Sequence, residues 1–298
     1  HTLALKILNE MIEYNFEITV LSYSVIQDEF VNYTWDENSF KFLNSKNIKY
    51  KLLNLIDDQK KNNYEIKKLI FNNDIIRISY PPENWKLENV FLDTNLFSNK
   101  KLILDTHDDI CLNEKLSELL LNNVNYLDVF YYKNYVKNYY KTTEKKINYI
   151  TKFSKLFDHI LSLNIFESHF FSSCILDNTL IHNYNYAMEN KIINHQKRNK
   201  IIFVASNNIF NIQSYHLLKD KILPLLEDDV IIHIYGSIKK NIISNHKNIK
   251  IEGFIDNLED IYINTLFSIC PIIAGTGQKI KILESLSYNI PVITFQIN

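Results

Sequence analysis

Glycine is close to absent from this chain. Its 298 residues hold four, and none occurs before Gly236. A chain that does without glycine for so long and then places two around one threonine, at Gly275-Thr276-Gly277, needs backbone freedom there. Cysteine is limited to Cys111, Cys174 and Cys270. These form no Cys-x-x-Cys pair and cannot all pair internally, which favours a reducing compartment and a cytoplasmic location. No apolar run approaches the ~20 residues of a membrane span, and no secretory signal is visible. The net charge of −1 leaves no global field to draw the chain to nucleic acid or anionic lipid. Arginine occurs only as Arg77 and Arg198. With so many Asn, Lys and Ile, the composition reads as an AT-rich coding bias, so a single Lys or Asn carries little functional information. Core-forming material is plentiful: 46% apolar residues, with 18 Phe and 19 Tyr, argue against disorder.

The length suits one large or two ordinary domains. Strands and helices alternate along it. Helical periodicity over Thr2–Tyr14 is followed by strand-like runs at Glu17–Tyr23, Ile48–Leu55 and Asp74–Tyr80. Lys101–Leu104 is a further strand, running into Asp105-Thr106-His107-Asp108-Asp109. A long helical region is predicted over 112–157, then a strand at His159–Leu163 and a helix from about Glu167. This alternation predicts an α/β fold of parallel sheets with helices on both faces. A polar, Asn-rich stretch from Asp177 to Asn199 has no clear period and separates two domains, 1–183 and 184–298. There is no internal repeat and no long low-complexity tract.

The stretch from Cys270 to Glu284 carries the most chemistry. A short apolar run turns through Gly275-Thr276-Gly277 into an amphipathic segment expected to be helical from about Gln278. Such a turn aims unpaired backbone N–H groups and the positive end of the helix dipole at one point, where anions bind. Lys279 and Lys281 then fall in the first helical turn, where they oppose the dipole. A ligand that supplies negative charge accounts for them; a plain βα turn with solvated lysines is the alternative. The pattern is neither a P-loop, which needs Gly-Lys-Ser/Thr, nor the dinucleotide fingerprint, because Ile280 stands at the third glycine's place.

The continuation through Ser285-Leu286-Ser287-Tyr288-Asn289-Ile290-Pro291-Val292-Ile293-Thr294 gives a helix end and a strand opened by proline. This order resembles the nucleotide-sugar-binding segment of GT-B glycosyltransferases of the family-4, or group 1, class. The resemblance extends upstream. Lys200 to Asn207 is similar to the family's first C-domain strand, Ile231 to Ser237 to its second, and Ile249 to Phe254 with Asn257 to Tyr262 to its Gly-Phe and Leu-x-x-hydrophobic-Tyr segment. It covers residues 199–295 in consistent order. It implies two Rossmann-like parallel-sheet domains facing across a cleft, an acceptor-side domain at 1–183 and a nucleotide-sugar-binding domain at 184–298. Against that pattern both ends look cut: an opening strand with its loop, and the final βα units, are expected but not seen.

The resemblance also implies roles. Gly275, Thr276, Gly277, Lys279 and Lys281 would hold the diphosphate, and Glu284 the ribose hydroxyls. The residue-level alternative for Glu284 is an exposed ion pair with Lys281, worth ~0.3–0.5 kcal/mol. His107 stands at a strand end, and its surroundings are similar to the family's Asp-x-His-Asp segment, where a cleft histidine faces the donor sugar. The alternative there is a helix-capping cluster with Asp108 or Asp109 as N-cap. A metal site at His107 has no second ligand at suitable spacing. Two departures stand out. Thr276 occupies a place where many relatives are acidic, and Ser206 and Ile212 occupy the places of a basic pair, leaving Lys239 or Lys240 as further cations. No Asp-x-Asp occurs, which argues against the metal-dependent GT-A architecture.

The function implied is a retaining, metal-independent hexosyltransferase without a cofactor. Its partners would be a nucleotide-diphosphate sugar donor and a saccharide, lipid-linked or protein acceptor. Peripheral membrane association is compatible with this, and nucleic acid is not expected. The alternatives are a nucleotide-sugar epimerase on the same fold and a non-catalytic module, such as a partner subunit or a glycan-binding remnant.

Overall fold

The structure, a computed structural model, describes residues 2–24, 37–54, 59–79, 90, 93–106, 117, 120, 156–163, 165–175, 179–183, 187–192, 198–255, 257–272, 275 and 277–295. His107, Thr276 and nearly all of the helical region expected over 112–157 lie outside the described residues. Among the described residues the strands form three sheets, in the orders β1-β2, β3-β4-β5-β6 and β11-β10-β7-β8-β9. The chain divides into two compact units, His1–Ile103 and Leu104–Asn298.

The first unit opens with α1 (Thr2–Glu13), β1 (Thr19–Ser24), α2 (Glu37–Ser45), β2 (Lys49–Asn54), α3 (Gln59–Phe71) and β3 (Ile75–Ser79). β1 and β2 are parallel, with Thr19 opposite Lys49 and Ser24 opposite Asn54. The buried side chains include Leu43, Ile48, Ile66 and Ile70, so the helices contribute apolar stripes as their periodicity requires. The strand β4 (Lys101–Thr106) carries the unit boundary.

In the second unit, β5 (His159–Ser162), α4 (Ile165–Cys174) and β6 (Leu180–Asn183) form a parallel β-α-β unit. Then come β7 (Lys200–Val204), α5 (Ile209–Leu217), β8 (Ile232–Tyr235), β9 (Ile249–Gly253), α6 (Glu259–Tyr262), β10 (Thr265–Cys270), α7 (Ile280–Ser287) and β11 (Val292–Thr294). All neighbours in the five-stranded sheet are parallel. Its central strand, β7, reads Lys-Ile-Ile-Phe-Val because both faces are buried. Phe203, with Ile232 and Ile234, packs under Tyr215, Leu218 and Leu223 on one face. Ile202, Val204 and Tyr235 pack with Ile261, Tyr262, Tyr288 and Ile290 on the other.

Turn chemistry is divided between two residue types. Every described glycine has positive φ: Gly236, Gly253, Gly275 and Gly277. All four lie at the carboxyl ends of β8, β9 and β10. Among the described residues, those other than glycine with positive φ are Asn15, Asn47, Asn99 and Asn289, each just beyond a helical turn or helix. At the end of α7 the Asn289 and Ile290 N–H groups donate to Leu286 and Ser285 carbonyls, the pattern of a left-handed helix stop. Asparagine tolerates that conformation better than other residues with a β-carbon. The asparagines that composition alone dismissed as coding bias therefore terminate helices.

Candidate functional site

The order β11-β10-β7-β8-β9 reverses direction between β7 and β10. From β7 the chain proceeds outward to β8 and β9, and from β10 it proceeds the other way to β11. In open parallel sheets a crevice forms beyond the carboxyl ends of the strands at such a reversal, because the two following helices diverge to opposite faces. The segment after β10 carries Gly275 and Gly277, and the segment after β7 leads into α5.

These two segments meet. A β-carbon at Gly275 would lie 3.5 Å from Lys279 Nζ and 3.8 Å from the Phe210 ring. Gly275 has φ +119° and Gly277 φ +74°, so both positions use the freedom that only glycine offers without strain. Phe210, in the first turn of α5, was not singled out from the sequence; one Phe among 18 carries no signal until the fold sets it against the turn.

The helix begins later than the sequence suggested. α7 starts at Ile280, not near Gln278, and Lys279 is its N-cap with φ −80° and ψ 83°. The positive φ of Gly277 holds the chain out of the helix for two more residues. Ile282 and Leu283 both donate to the Lys279 carbonyl, which closes the first turn. Only Lys281 therefore stands within that turn, while Lys279 bends back over Gly275. No side chain caps the helix. Ile280 N donates to the Gln278 carbonyl at 3.0 Å, so the start of the helix is closed by backbone alone, and an anion there gains from the dipole.

Glu284 lies one turn further along. Lys281 Nζ donates to Glu284 Oε2 at 2.8 Å, with Glu284 15% exposed and Lys281 39% exposed. The ion pair expected of a plain helix is thus formed, but its carboxylate is mostly covered. Behind it, Tyr262 and Tyr288 stack with ring centres 4.5 Å apart, and Tyr262 Oη lies 3.3 Å from Ser285 Oγ. Burial raises the Tyr262 hydroxyl well above its ordinary range, and the Glu284 charge adds to it. Tyr288 is raised too, by burial and then by Glu259 and Glu284. Both phenols therefore stay protonated beside the carboxylate.

On α7 small polar residues are covered while an apolar one is not. Ser285 and Ser287 are buried, whereas Leu286 is 49% exposed. The serines satisfy their hydroxyls within the helix: Ser285 Oγ donates to the Lys281 carbonyl at 3.0 Å and Ser287 Oγ to the Glu284 carbonyl at 2.7 Å. Small side chains at these places let the helix approach the tyrosine stack closely. Burial also pushes the Cys270 thiol up to about 11, with the Ile272 backbone and Lys279 pulling the other way, so this cysteine is a packing residue.

Of the two places a basic pair would occupy, Ile212 packs against the core and Ser206 belongs to a tight polar network. Asn208 caps α5, its Oδ1 accepting from Asn211 N at 2.9 Å. Asn211 Nδ2 donates to the Ser206 carbonyl and hydroxyl at 2.9 and 3.1 Å. Asn207 N donates to Ser237 Oγ at 2.9 Å, and Asn241 Nδ2 to Asn207 Oδ1 at 2.7 Å. This network fixes the loops after β7 and β8 together. Lys239 lies along Gly253 with Nζ 3.4 Å from the Glu252 carbonyl, at the end of β9, and Lys240 is exposed. On the adjoining strands, burial would raise Glu252, but His233 at 2.8 Å and Lys250 at 3.0 Å outweigh it and hold that carboxyl low.

In the β4 segment, Asp105 and Thr106 are buried, and Thr106 Oγ1 donates to the Leu161 carbonyl at 3.2 Å. This fixes the strand end that precedes His107, whose own position lies outside the described residues. No helix among the described residues is long and apolar enough to cross a membrane.

Comparison with known proteins agrees with this geometry. Anabaena HepE, solved in complex with UDP, superposes with a TM-score of 0.57 at 10% identity, covering 87% of this chain and 71% of that one. HepE in complex with UDP-glucose gives 0.56 at 10% identity, covering 87% and 70%. S. aureus TarM gives 0.51 at 16% identity, covering 78% and 43%. At these identities the likeness establishes the fold, a two-domain Rossmann-like α/β architecture of the GT-B type. No curated protein matches the sequence. Residues 198–298 match the family described as Glycosyl transferases group 1, a segment that holds the whole five-stranded sheet, the glycine turn and Glu284. That segment, about a third of the chain, is similar to the group 1 glycosyl transferases.

Proposed function

We propose that this protein is a glycosyltransferase that moves a hexose from a nucleotide-diphosphate sugar to a glycan, lipid-linked or protein acceptor, with retention and without a metal. The observation that carries this reading is the convergence of Gly275, Gly277, Lys279, Lys281 and the uncapped start of α7 at the sheet reversal, with Glu284 one turn away. The backbone N–H groups and two ammonium groups suit a diphosphate, and a carboxylate suits vicinal ribose hydroxyls. Thr276 belongs to the same turn in this reading. HepE has been solved with UDP and with UDP-glucose, which supports a nucleotide-sugar donor here.

Residues 184–298 would bind the donor and 1–183 the acceptor. The departing diphosphate would be stabilised by fixed positive charge, while the acceptor hydroxyl attacks from the face it leaves. Such stabilisation works because the donors are held in place before charge develops. No enzymic nucleophile is required.

The direct test is nucleotide-sugar binding by thermal shift and titration, with Glu284→Ala beside the parent. The substitution should weaken nucleotide binding by about 1–3 kcal/mol, since ribose hydroxyls lose a charged acceptor. Unchanged affinity in a protein that binds nucleotide would leave Glu284 only its ion pair with Lys281. Thr276, standing where many relatives are acidic, favours a second reading as a non-catalytic binding module. Donor hydrolysis separates the two: an enzyme shows slow release of sugar, a module none.

His107 is proposed to face the transferred sugar. His107→Ala should then lower turnover at least about tenfold while nucleotide affinity changes little, because a contact made chiefly in the transition state appears in the rate. A capping role predicts the reverse, a modest loss of stability with kinetics intact.

A further inference from the structure

We infer that Lys281 is a charge-exchange residue that makes the site select nucleoside diphosphates over nucleosides; this rests on the donor-site reading above. Glu284 does not stand open to a ribose. Its Oε2 already accepts from Lys281 Nζ at 2.8 Å, and the carboxylate is 15% exposed while the lysine is 39% exposed. Tyr262 and Tyr288 enclose the other side of the helix position, their phenols raised by burial and by the Glu284 charge among other causes. A mostly covered carboxylate that loses its cation is left with an uncompensated charge, which opposes the loss.

A neutral nucleoside placing its hydroxyls on Glu284 must displace that cation and offers it nothing in return. A nucleoside diphosphate differs. With the ribose at Glu284, its phosphates extend toward the amino end of α7, where the N–H groups point; Ile280 and Glu284 are ~6 Å apart along the helix axis. Lys281 lies between them, in the first turn. It can leave Glu284 and pair with a phosphate as the ribose hydroxyls take over the carboxylate. One ion pair is exchanged for another, and Glu284 gains its hydroxyls without losing compensation. Lys279 cannot play this part, since it precedes the helix and its Nζ lies against Gly275.

The prediction is a change of opposite sign for the two ligand classes. Lys281→Met keeps the aliphatic stem and removes the charge. Binding of uridine, adenosine, guanosine and thymidine and of their diphosphates would be measured by calorimetry on the full chain, with the parent and Lys281→Arg alongside. For the base the protein accepts, the Met variant should bind the nucleoside about two- to fivefold more tightly, as the competing pair is gone. It should bind the diphosphate about tenfold or more weakly, having lost a charge-assisted contact. Lys281→Arg should keep the parent's preference. If the parent binds a diphosphate but the Met variant binds the nucleoside no better, the exchange does not occur and the donor-site reading stands. If the parent binds none of the diphosphates, the donor-site reading fails and takes this inference with it.

Discussion

Replacing Gly236 with Ala should cost about 3 kcal/mol of stability or more, the sum of backbone strain and a clash that cannot relax. Gly236 has φ +111°, and a β-carbon there would lie 2.1 Å from the Ala205 carbonyl oxygen. That obstacle is backbone, and it is held on several sides. Ala205 N donates to the Tyr235 carbonyl, Ile238 N donates to Ala205 O, and Gly236 N donates to the Gly253 carbonyl at 2.7 Å. The methyl must push apart the carboxyl ends of β7, β8 and β9. The same displacement pulls Ser237 from Asn207 and so loosens the loop leading to α5. Denaturant unfolding of the variant and parent measures the loss. A change below about 1 kcal/mol would show that the β7–β8 edge yields easily, contrary to the packing described.

Tyr262→Ala should be comparably severe, about 3–5 kcal/mol, because a large ring is removed from a site with 0% exposure. Tyr262 joins α6 to α7 and to the sheet through its stack on Tyr288, and it belongs to the cluster of Ile202, Val204 and Ile290. The cavity cannot be filled by Ser285, the nearest polar neighbour, which is bound to its own helix. Tyr262→Phe separates packing from the hydroxyl: it keeps the ring and should cost only about 1 kcal/mol, since the 3.3 Å contact to Ser285 is long. Both variants can be read in the same unfolding experiment. Equal losses for Phe and Ala would place the energy in the hydroxyl and overturn the packing argument.

The sequence was most legible where one residue type was forced. β7 was marked by its resemblance to the family's first C-domain strand, and its continuous apolar run is what a strand buried on both faces needs. The Gly275 and Gly277 turn could be read because glycine is so rare elsewhere, and the positive φ values agree. The start of α7 was misplaced by two residues, since periodicity continues smoothly through Gln278 and Lys279 while the backbone does not. Ser285 and Ser287 were invisible as buried residues because their hydroxyls are satisfied by carbonyls that exist only once the helix has formed. Asn15, Asn47 and Asn289 were likewise unreadable in a chain crowded with asparagine.

By itself, then, the sequence determined the α/β alternation, the runs that become parallel strands and the glycine turn, because each depends on residues near one another in the chain. Tertiary structure decided the strand order, and with it the reversal between β7 and β10 that sets Phe210 against Gly275. It also decided that Glu284 is mostly covered and held by Lys281, with the tyrosine stack behind it. Those features depend on which segments pack together and how closely, and contacts between distant segments have no local code.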